Sequence, residues 1–189
     1  MGGGARTARR ERVTLPASAA PRFGIVGRKD AGKTTMVVRL VRRLTAGGLR
    51  VATVKHAHHG LQVDREGTDS WKHREAGASE VAVVGSGRWA VMHELRGEAE
   101  PTLDAMIARM SPCDLVLVEG FKPEPHPKLE LRRGGDPLDA SACPNVVAVA
   151  EPGGALDPDD VEAVAAIVLR HAAPPAGALP AGALPSAAP

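Results

Sequence analysis

The stretch from Arg22 to Thr35, R-F-G-I-V-G-R-K-D-A-G-K-T-T, decides the fold of this chain. Its apolar start predicts a short β-strand over 22–26, and from Gly27 the chain matches G-x-x-x-x-G-K-[ST] at every fixed position. An amphipathic helix is predicted to follow over 33–45, with apolar residues at i, i+3, i+4 and i+7: Val37, Leu40, Val41 and Leu44. A strand, a glycine-rich turn and a helix in this order are typical of a loop that cradles the phosphates of a nucleotide.

The chemistry of phosphate binding explains the spacing of this loop. Gly27 and Gly32 allow a tight curve in which backbone N–H groups face the phosphate oxygens, and the helix N-terminus adds its positive dipole end. Lys33 is expected to reach the β- and γ-phosphates, Thr34 to bind Mg²⁺ through its hydroxyl, and Thr35 is a candidate for the α-phosphate. The expected nucleotide-binding residues are Gly27, Arg28, Lys29, Asp30, Ala31, Gly32, Lys33, Thr34 and Thr35.

A second acidic element, D-L-V-L-V-E-G over 114–120, is an apolar strand that ends in an acid. Glu119 at its carboxyl end is expected to hold Mg²⁺ through water or to orient an attacking water, which makes Lys33 and Glu119 the candidate catalytic residues. The alternative for Glu119 is a salt bridge at the end of a strand. A further acid near Mg²⁺ is expected from Asp64 or Asp69, although Asp69 is equally suited to cap a helix.

The run K-H-A-H-H-G over 55–60 is rich in histidine. In an extended chain His56 and His58 share one face and His59 takes the other. Three interpretations stay open: contact with an anionic ligand, hydrogen bonding within an ordered loop, or a transition-metal site. The metal site would need a third ligand such as His73 or His93.

The remaining pattern alternates between strands and helices. Further strands are predicted over 49–54, 80–84, 88–95, 114–119, 128–131 and 146–150, and further helices over 68–76, 101–110 and 158–170. We therefore expect an α/β fold of three layers, with a mostly parallel sheet covered by helices on both faces. The strands over 80–95, joined by Gly85-Ser86-Gly87, are predicted to be an antiparallel insertion whose exposed edge is a candidate dimer contact.

Length and composition set the outer limits. The 189 residues suit one domain over 22–171, between a basic tail at 1–21 and an Ala/Pro/Gly tail at 172–189 that are both expected to be disordered. A net charge of +2 without a broad basic composition argues against nucleic-acid binding. The sequence contains no run of about 18 apolar residues, so no membrane span is expected. Two widely spaced cysteines and no secretory signal favour the cytoplasm, with an organelle transit peptide as the alternative for the Arg-rich start.

Five blocks follow the phosphate loop in order: K-H-A-H-H, G-T-D-S-W-K-H-R-E-A-G-A, R-W-A-V-M-H-E, V-L-V-E-G-F-K and P-K-L-E-L. Over about residues 23–150 the chain resembles the molybdopterin-guanine dinucleotide biosynthesis adapter (MobB) family. The resemblance implies GTP binding, at most a weak GTPase activity, a homodimer with a shared sheet, and support of the partner MobA, which attaches GMP to molybdopterin.

The same resemblance implies roles for particular residues. Asp69 matches the acid of the family's G-x-D-S block, so Thr34, Glu119 and Asp69 are the implied Mg²⁺ residues. His56, His58 and His59 match the family's histidine run, but Gly60 stands where an acid commonly follows. No N-K-x-D element for guanine is present, and Asn145 is only a weak candidate, so the preference for GTP rests on the resemblance.

Two other functions remain in competition with the adapter. A small-molecule kinase or ATP-dependent ligase can be built on a related sheet, but a kinase needs a mobile lid with arginines over the phosphates. Arg65 and Arg74 lie in the short region 60–75 that would have to form this lid. A passive phosphate-binding module is the third possibility.

Overall fold

The computed structural model describes residues 16–57 and 63–174. These residues form two compact units, one made of 16–56 together with 103–174 and the other of 57–102. The sequence predicts a single domain over 22–171, which stays a prediction. The second unit forms because the segment between the second and fifth strands builds its own small sheet.

The helices and strands follow the predicted order with modest changes in their ends. They are β1 (Arg22–Gly27), α1 (Lys33–Ala46), β2 (Val51–Lys55), α2 (Asp69–Glu75), β3 (Glu80–Val84), β4 (Trp89–His93), α3 (Leu103–Ala108), β5 (Leu115–Glu119), β6 (Lys128–Leu131), β7 (Val146–Ala150) and α4 (Val161–His171). The largest change in length is in α3, which is shorter than the predicted 101–110. None of the helices in the described part of the chain is long and apolar enough to cross a bilayer.

The first unit contains a five-stranded parallel sheet in the order β2-β5-β1-β6-β7. Strand β1 lies in the centre, with β5 on one side and β6 on the other. Because all five strands run in the same direction, their carboxyl ends share one edge of the sheet. The predicted mostly parallel α/β fold is confirmed.

Alternating side chains of the central strands supply a core on each face. On one face Phe23 of β1 and Leu117 of β5 pack with Leu40 of α1 and Val168 of α4. On the other face Val116 and Val118 of β5 pack with Leu103 and Ile107 of α3. All of these residues are at most 1% exposed, which is the two-sided burial expected of a parallel sheet between helices.

The first unit begins earlier than the sequence indicates. Residues 16–21 are predicted to belong to a disordered tail, but Ala17–Ala19 form a turn of 3₁₀ helix, and Ala17 and Ala20 are 2% and 0% exposed. They pack in the core beside α3. Small apolar side chains are buried here, and an Ala/Pro-rich composition hides that role in the sequence.

The second unit holds the predicted antiparallel insertion. Strands β3 and β4 pair antiparallel, with Val84 opposite Trp89 and Ala82 opposite Val91. The Gly85 N–H donates to the Arg88 carbonyl at 2.9 Å and closes the turn. Within this unit Arg74 of α2 also binds the carboxylates of Asp64 and Glu94 at 3.1 and 3.3 Å.

Two ionisable side chains are buried near the start of β6. Lys128 is 0% exposed, and its ammonium donates to the carbonyls of Glu124, His126 and Pro144. The His126 ring is 9% exposed, and its Nε2 atom has no hydrogen-bond partner among the described residues. Burial, with the nearby charge of Lys128, lowers the pKa of His126 from 6.5 to about 4.

The buried His126 predicts a pH dependence of stability. Between pH 6.5, the pKa of His126 in the unfolded chain, and about pH 4, its pKa in the folded chain, the imidazole is protonated in the unfolded chain but stays neutral in the folded one. The free energy of unfolding should therefore fall as pH drops through this window, by about 3 kcal/mol at most from this residue. Chemical denaturation at a series of pH values measures it. His126→Leu should flatten the profile between those pH values, while His73→Leu at an exposed position should not; an unchanged His126→Leu profile contradicts the assignment.

Candidate functional site

The phosphate-loop motif and the acidic element lie at the same edge of the parallel sheet. The motif starts at Gly27, where β1 ends, and α1 begins at Lys33. Strand β5 ends at Glu119, which is paired in register with Ile25 of β1 on one side and with Lys55 of β2 on the other. The register therefore brings the carboxyl ends of three strands together beside the start of α1. In open α/β sheets this edge is where ligands bind.

Three side chains meet at this edge. The Thr34 hydroxyl donates to Glu119 Oε1 at 2.8 Å. The Lys55 ammonium lies 3.0 Å from the same Oε1 and donates to Thr34 Oγ1 at 3.2 Å. The Glu119 side chain is only 9% exposed, whereas that of Lys55 is 56% exposed. A nearly buried carboxylate, a hydroxyl and an ammonium thus form a compact polar cluster.

The side chain of Lys33 extends back across the phosphate loop. Its ammonium donates to the Arg28 carbonyl at 2.5 Å, which spans the loop from its second residue to the first residue of α1. Burial lowers the pKa of Lys33, and the negative charge of Glu119 opposes that shift. A partly desolvated ammonium at this position provides a strong electrostatic contact for an anion.

Two glycines of the motif are required by geometry. A Cβ at Gly27, with φ of 152°, would lie 2.5 Å from the Leu131 carbonyl of β6. Gly32 has φ of 88°, a left-handed conformation that favours glycine. Asp30 also has positive φ, at 60°, which an aspartate tolerates better than most residues. The curve of the loop therefore depends on residues with little or no side-chain hindrance.

The donor set at this edge fits Mg²⁺. Mg²⁺ prefers hard oxygen ligands, and in phosphate-loop proteins it is held by the loop Ser or Thr and an acid of a neighbouring strand. Thr34 Oγ1 and the Glu119 carboxylate are oxygens 2.8 Å apart beside the expected phosphate position. These two side chains are the ones that would hold the ion.

A cleft of about 140 Å³ opens beside the outer rim of the loop. Its walls are residues 28–31, the end of β6 and the segment that follows it, and its charged residues are Arg28, Lys29, Asp30, Glu130, Arg132, Arg133 and Asp136. Burial raises the pKa of Glu130, but hydrogen bonds from Arg132 and the Leu138 N–H outweigh it and leave the pKa lowered. Arg133 extends along the rim, with Nε 3.3 Å from where a Cβ at Gly32 would stand.

The histidine run is only partly described. His56 directly follows β2; its N–H donates to the Glu119 carbonyl at 2.9 Å, and its ring lies 4.9 Å from that of Phe121. His58 and His59 lie outside the described residues. His93 is held by Glu80 and Glu98 in the second unit. Within 16–57 and 63–174 no three His, Cys, Asp or Glu side chains are grouped to hold a metal ion.

The expected additional acids lie in the second unit. Asp64 is 9% exposed in its side chain and is bound by Arg74, so its carboxylate already has a counter-ion. Asp69 is the first residue of α2, and the N-cap residue is Thr68, so the capping alternative for Asp69 is wrong. Its side chain is 91% exposed and lies 3.4 Å from the Lys72 ammonium. A role for Asp69 in Mg²⁺ binding stays a prediction.

Asn145 does not fit a role in base recognition. It precedes β7, at the sheet edge opposite to the phosphate loop, and its side-chain amide donates to the Pro125 carbonyl at 2.9 Å. Its φ of 61° marks it as a turn residue.

Sequence reasoning missed Lys55 and Arg133. Lys55 is polar at the end of an apolar strand, which is a signal for a residue at the ligand edge. Arg133 lies in an irregular segment and carries no local pattern that points to the loop.

Comparisons with known proteins agree on one family. Residues 23–152 match the model of the MobB family, "Molybdopterin guanine dinucleotide synthesis protein B". A molybdopterin-guanine dinucleotide biosynthesis adapter protein of Escherichia coli is 38% identical over 160 residues, which cover 79% of this chain and 91% of that protein. One from Haemophilus influenzae is 45% identical over 113 residues, and the match spans 60% of this chain and 64% of that protein.

A solved structure extends the likeness to the fold. The crystal structure of Bacillus subtilis MobB superposes with a TM-score of 0.62 and 25% identity over 81% of this chain and 98% of that one. The span 23–152 that matches the family model contains the phosphate loop, Lys55 and Glu119.

Proposed function

This chain belongs to the family of molybdopterin guanine dinucleotide synthesis protein B, and on that premise we propose that it is a GTP-binding adapter in the formation of molybdopterin guanine dinucleotide. The observation that carries the proposal is the contact between Thr34 and Glu119 at 2.8 Å, beside a complete phosphate-loop motif. The curated relatives from E. coli and H. influenzae bear the name of adapter proteins in this pathway.

Each part of the edge has a role in binding GTP with Mg²⁺. The loop over 27–35 holds the phosphates through its backbone N–H groups, and Lys33 contacts the terminal phosphates. Thr34 and Glu119 are the side chains that would hold Mg²⁺, which would neutralise part of the phosphate charge. Any hydrolysis should be slow, because the carboxylate that could orient an attacking water, Glu119, is the one that would hold Mg²⁺ beside Thr34.

The partner we propose is a MobA-type guanylyltransferase, the enzyme that joins GMP to molybdopterin. Such an enzyme consumes GTP, so an accessory protein that holds GTP·Mg²⁺ fits its chemistry. Molybdopterin itself is a further candidate ligand, and the cytoplasm is the proposed location.

The kinase alternative has little support. Of the two arginines that it would place in a lid, Arg65 and Arg74, the second is bound to Asp64 and Glu94, and its side chain is 22% exposed. An arginine held by two carboxylates in its own unit is not available to close over a phosphate. No specific observation favours a kinase or ligase over the adapter.

We also propose a homodimer that uses the β3–β4 hairpin. One face of this hairpin carries Val84, Trp89 and Val91, which are 80%, 67% and 50% exposed. Among the described residues β3 and β4 pair only with each other, so each also presents an outer edge. A contiguous apolar face with free strand edges is a favourable surface for a second copy of the chain.

The nucleotide claim predicts selective binding of GTP. Calorimetry with Mg²⁺ present should give clear binding of GTP and weaker binding of ATP. Lys33→Ala should abolish GTP binding and turnover because it removes the cation that contacts the terminal phosphates. Arg42→Ala, which removes an exposed basic side chain further along α1, is the matched control and should bind GTP as the wild type does.

Glu119→Gln separates binding from hydrolysis. In calorimetry the variant should still bind GTP. Its rate of GTP hydrolysis, measured separately, should be lower, because a neutral amide orients an attacking water less well than a carboxylate does. Preference for ATP with phosphate transfer to a small acceptor would overturn the adapter, and unchanged affinity in Lys33→Ala would overturn the role of the loop.

The adapter claim predicts a stable partner. A tagged chain expressed in its native cell should co-purify a molybdenum-cofactor guanylyltransferase, identified by mass spectrometry. The control variant Arg42→Ala should recover the same enzyme. Reproducible recovery of unrelated enzymes, with the guanylyltransferase present in the lysate but absent from the eluate, would contradict the proposal.

The dimer claim predicts that a charge in the hairpin face separates the subunits. Trp89→Asp should convert the dimer to a monomer in sedimentation equilibrium, because the carboxylate would be buried without a partner. Val63→Asp is the control, since Val63 is a comparably exposed apolar residue, at 58%, outside the hairpin. A Trp89→Asp variant that stays dimeric, or a wild type that is monomeric at high concentration, would rule out this interface.

A further inference from the structure

We propose that Lys55 competes with Mg²⁺ for Thr34 and Glu119, and so sets the Mg²⁺ concentration at which nucleotide is held. The inference rests on the proposed function, because it concerns the same site. Its basis is that one ammonium contacts both oxygens that fit the metal: Glu119 Oε1 at 3.0 Å and Thr34 Oγ1 at 3.2 Å.

The fold holds the Lys55 ammonium in this position. Lys55 and Glu119 are the last residues of β2 and β5 and are paired directly in the parallel register. The His56 N–H that follows donates to the Glu119 backbone carbonyl, which continues the pairing for one more residue. Lys55 thus starts from a fixed backbone position beside the carboxylate, and only its side chain needs to move.

The electrostatics favour one cation at a time. The Glu119 carboxylate is nearly buried and needs a positive partner, since an uncompensated buried charge is costly. Lys55 supplies that partner with one positive charge, and Mg²⁺ would supply two at the same oxygens. Two cations on one carboxylate oxygen repel each other strongly at this range. Binding of the metal therefore requires the ammonium to withdraw.

The exposure of Lys55 makes withdrawal inexpensive. Its side chain is 56% exposed, so the ammonium can be hydrated after it leaves. An ordinary salt bridge would involve the carboxylate alone, but here the ammonium also contacts the hydroxyl of Thr34, the other Mg²⁺ side chain. Contact with both side chains is what competition requires.

The test compares Lys55→Met with Lys55→Arg. GTP binding is followed by calorimetry over a series of Mg²⁺ concentrations and in excess EDTA. In Lys55→Met the Mg²⁺ concentration for half-maximal GTP binding should fall roughly twofold to fivefold, since exposed ion pairs contribute up to about 1 kcal/mol. Lys55→Arg keeps the charge and should stay near the wild-type value. Circular dichroism verifies that both variants are folded.

Two results would overturn the inference. An unchanged Mg²⁺ requirement in Lys55→Met shows that the ammonium does not compete. A higher requirement, or weaker GTP binding in EDTA, shows that Lys55 is a phosphate contact instead.

A second measurement uses Mg²⁺ alone and is independent of GTP. Mg²⁺ should raise the Tm of Lys55→Met more than that of the wild type or of Lys55→Arg. A wild type that binds no GTP at any Mg²⁺ concentration would defeat the proposed function, yet this comparison would still decide whether Lys55 and Mg²⁺ compete. An equal rise of Tm in all three proteins contradicts the inference.

Discussion

The parallel pairing of β5 with β1 and β2 is the constraint on which the site depends. It places Glu119 level with Ile25, just before the phosphate loop, and level with Lys55 at the end of β2. A shift of this register by one residue would turn the Glu119 side chain to the opposite face of the sheet and away from Thr34. The two apolar cores hold the register, since Leu117 packs on one face of β5 and Val118 on the other. Packing of the whole sheet therefore positions one carboxylate oxygen beside one hydroxyl.

The local part of the site could be predicted from the sequence because its signals lie close together in the chain. The motif from Gly27 to Thr34 follows a strand and opens a helix, and each step leaves a recognisable pattern. Glu119 could also be predicted from the sequence, since an acid that ends an apolar strand is expected at the edge of the sheet where ligands bind. The fold class followed from the alternation of strands and helices.

The rest could not be predicted because it depends on contacts between distant residues. Lys55 reaches Thr34 and Glu119 only because β2 pairs with β5, and no local sequence pattern indicates which strands pair. The same reason applies to Asp64, whose carboxylate is bound by Arg74 within the second unit. Ala17 and Ala20 look like part of a flexible tail by composition, yet they are buried in the core beside α3. The amino-acid composition of a segment therefore does not show which of its side chains are buried.

The most direct measurement is a crystal structure of the chain with a non-hydrolysable GTP analogue and Mg²⁺. The triphosphate should lie in the loop from Gly27 to Thr35, with the ion about 2.1 Å from Thr34 Oγ1, held by Glu119 directly or through water, and with Lys55 withdrawn from both. A nucleotide bound away from this loop, or a metal held without Thr34 and Glu119, would contradict the central claim that this edge of the sheet is the GTP·Mg²⁺ site.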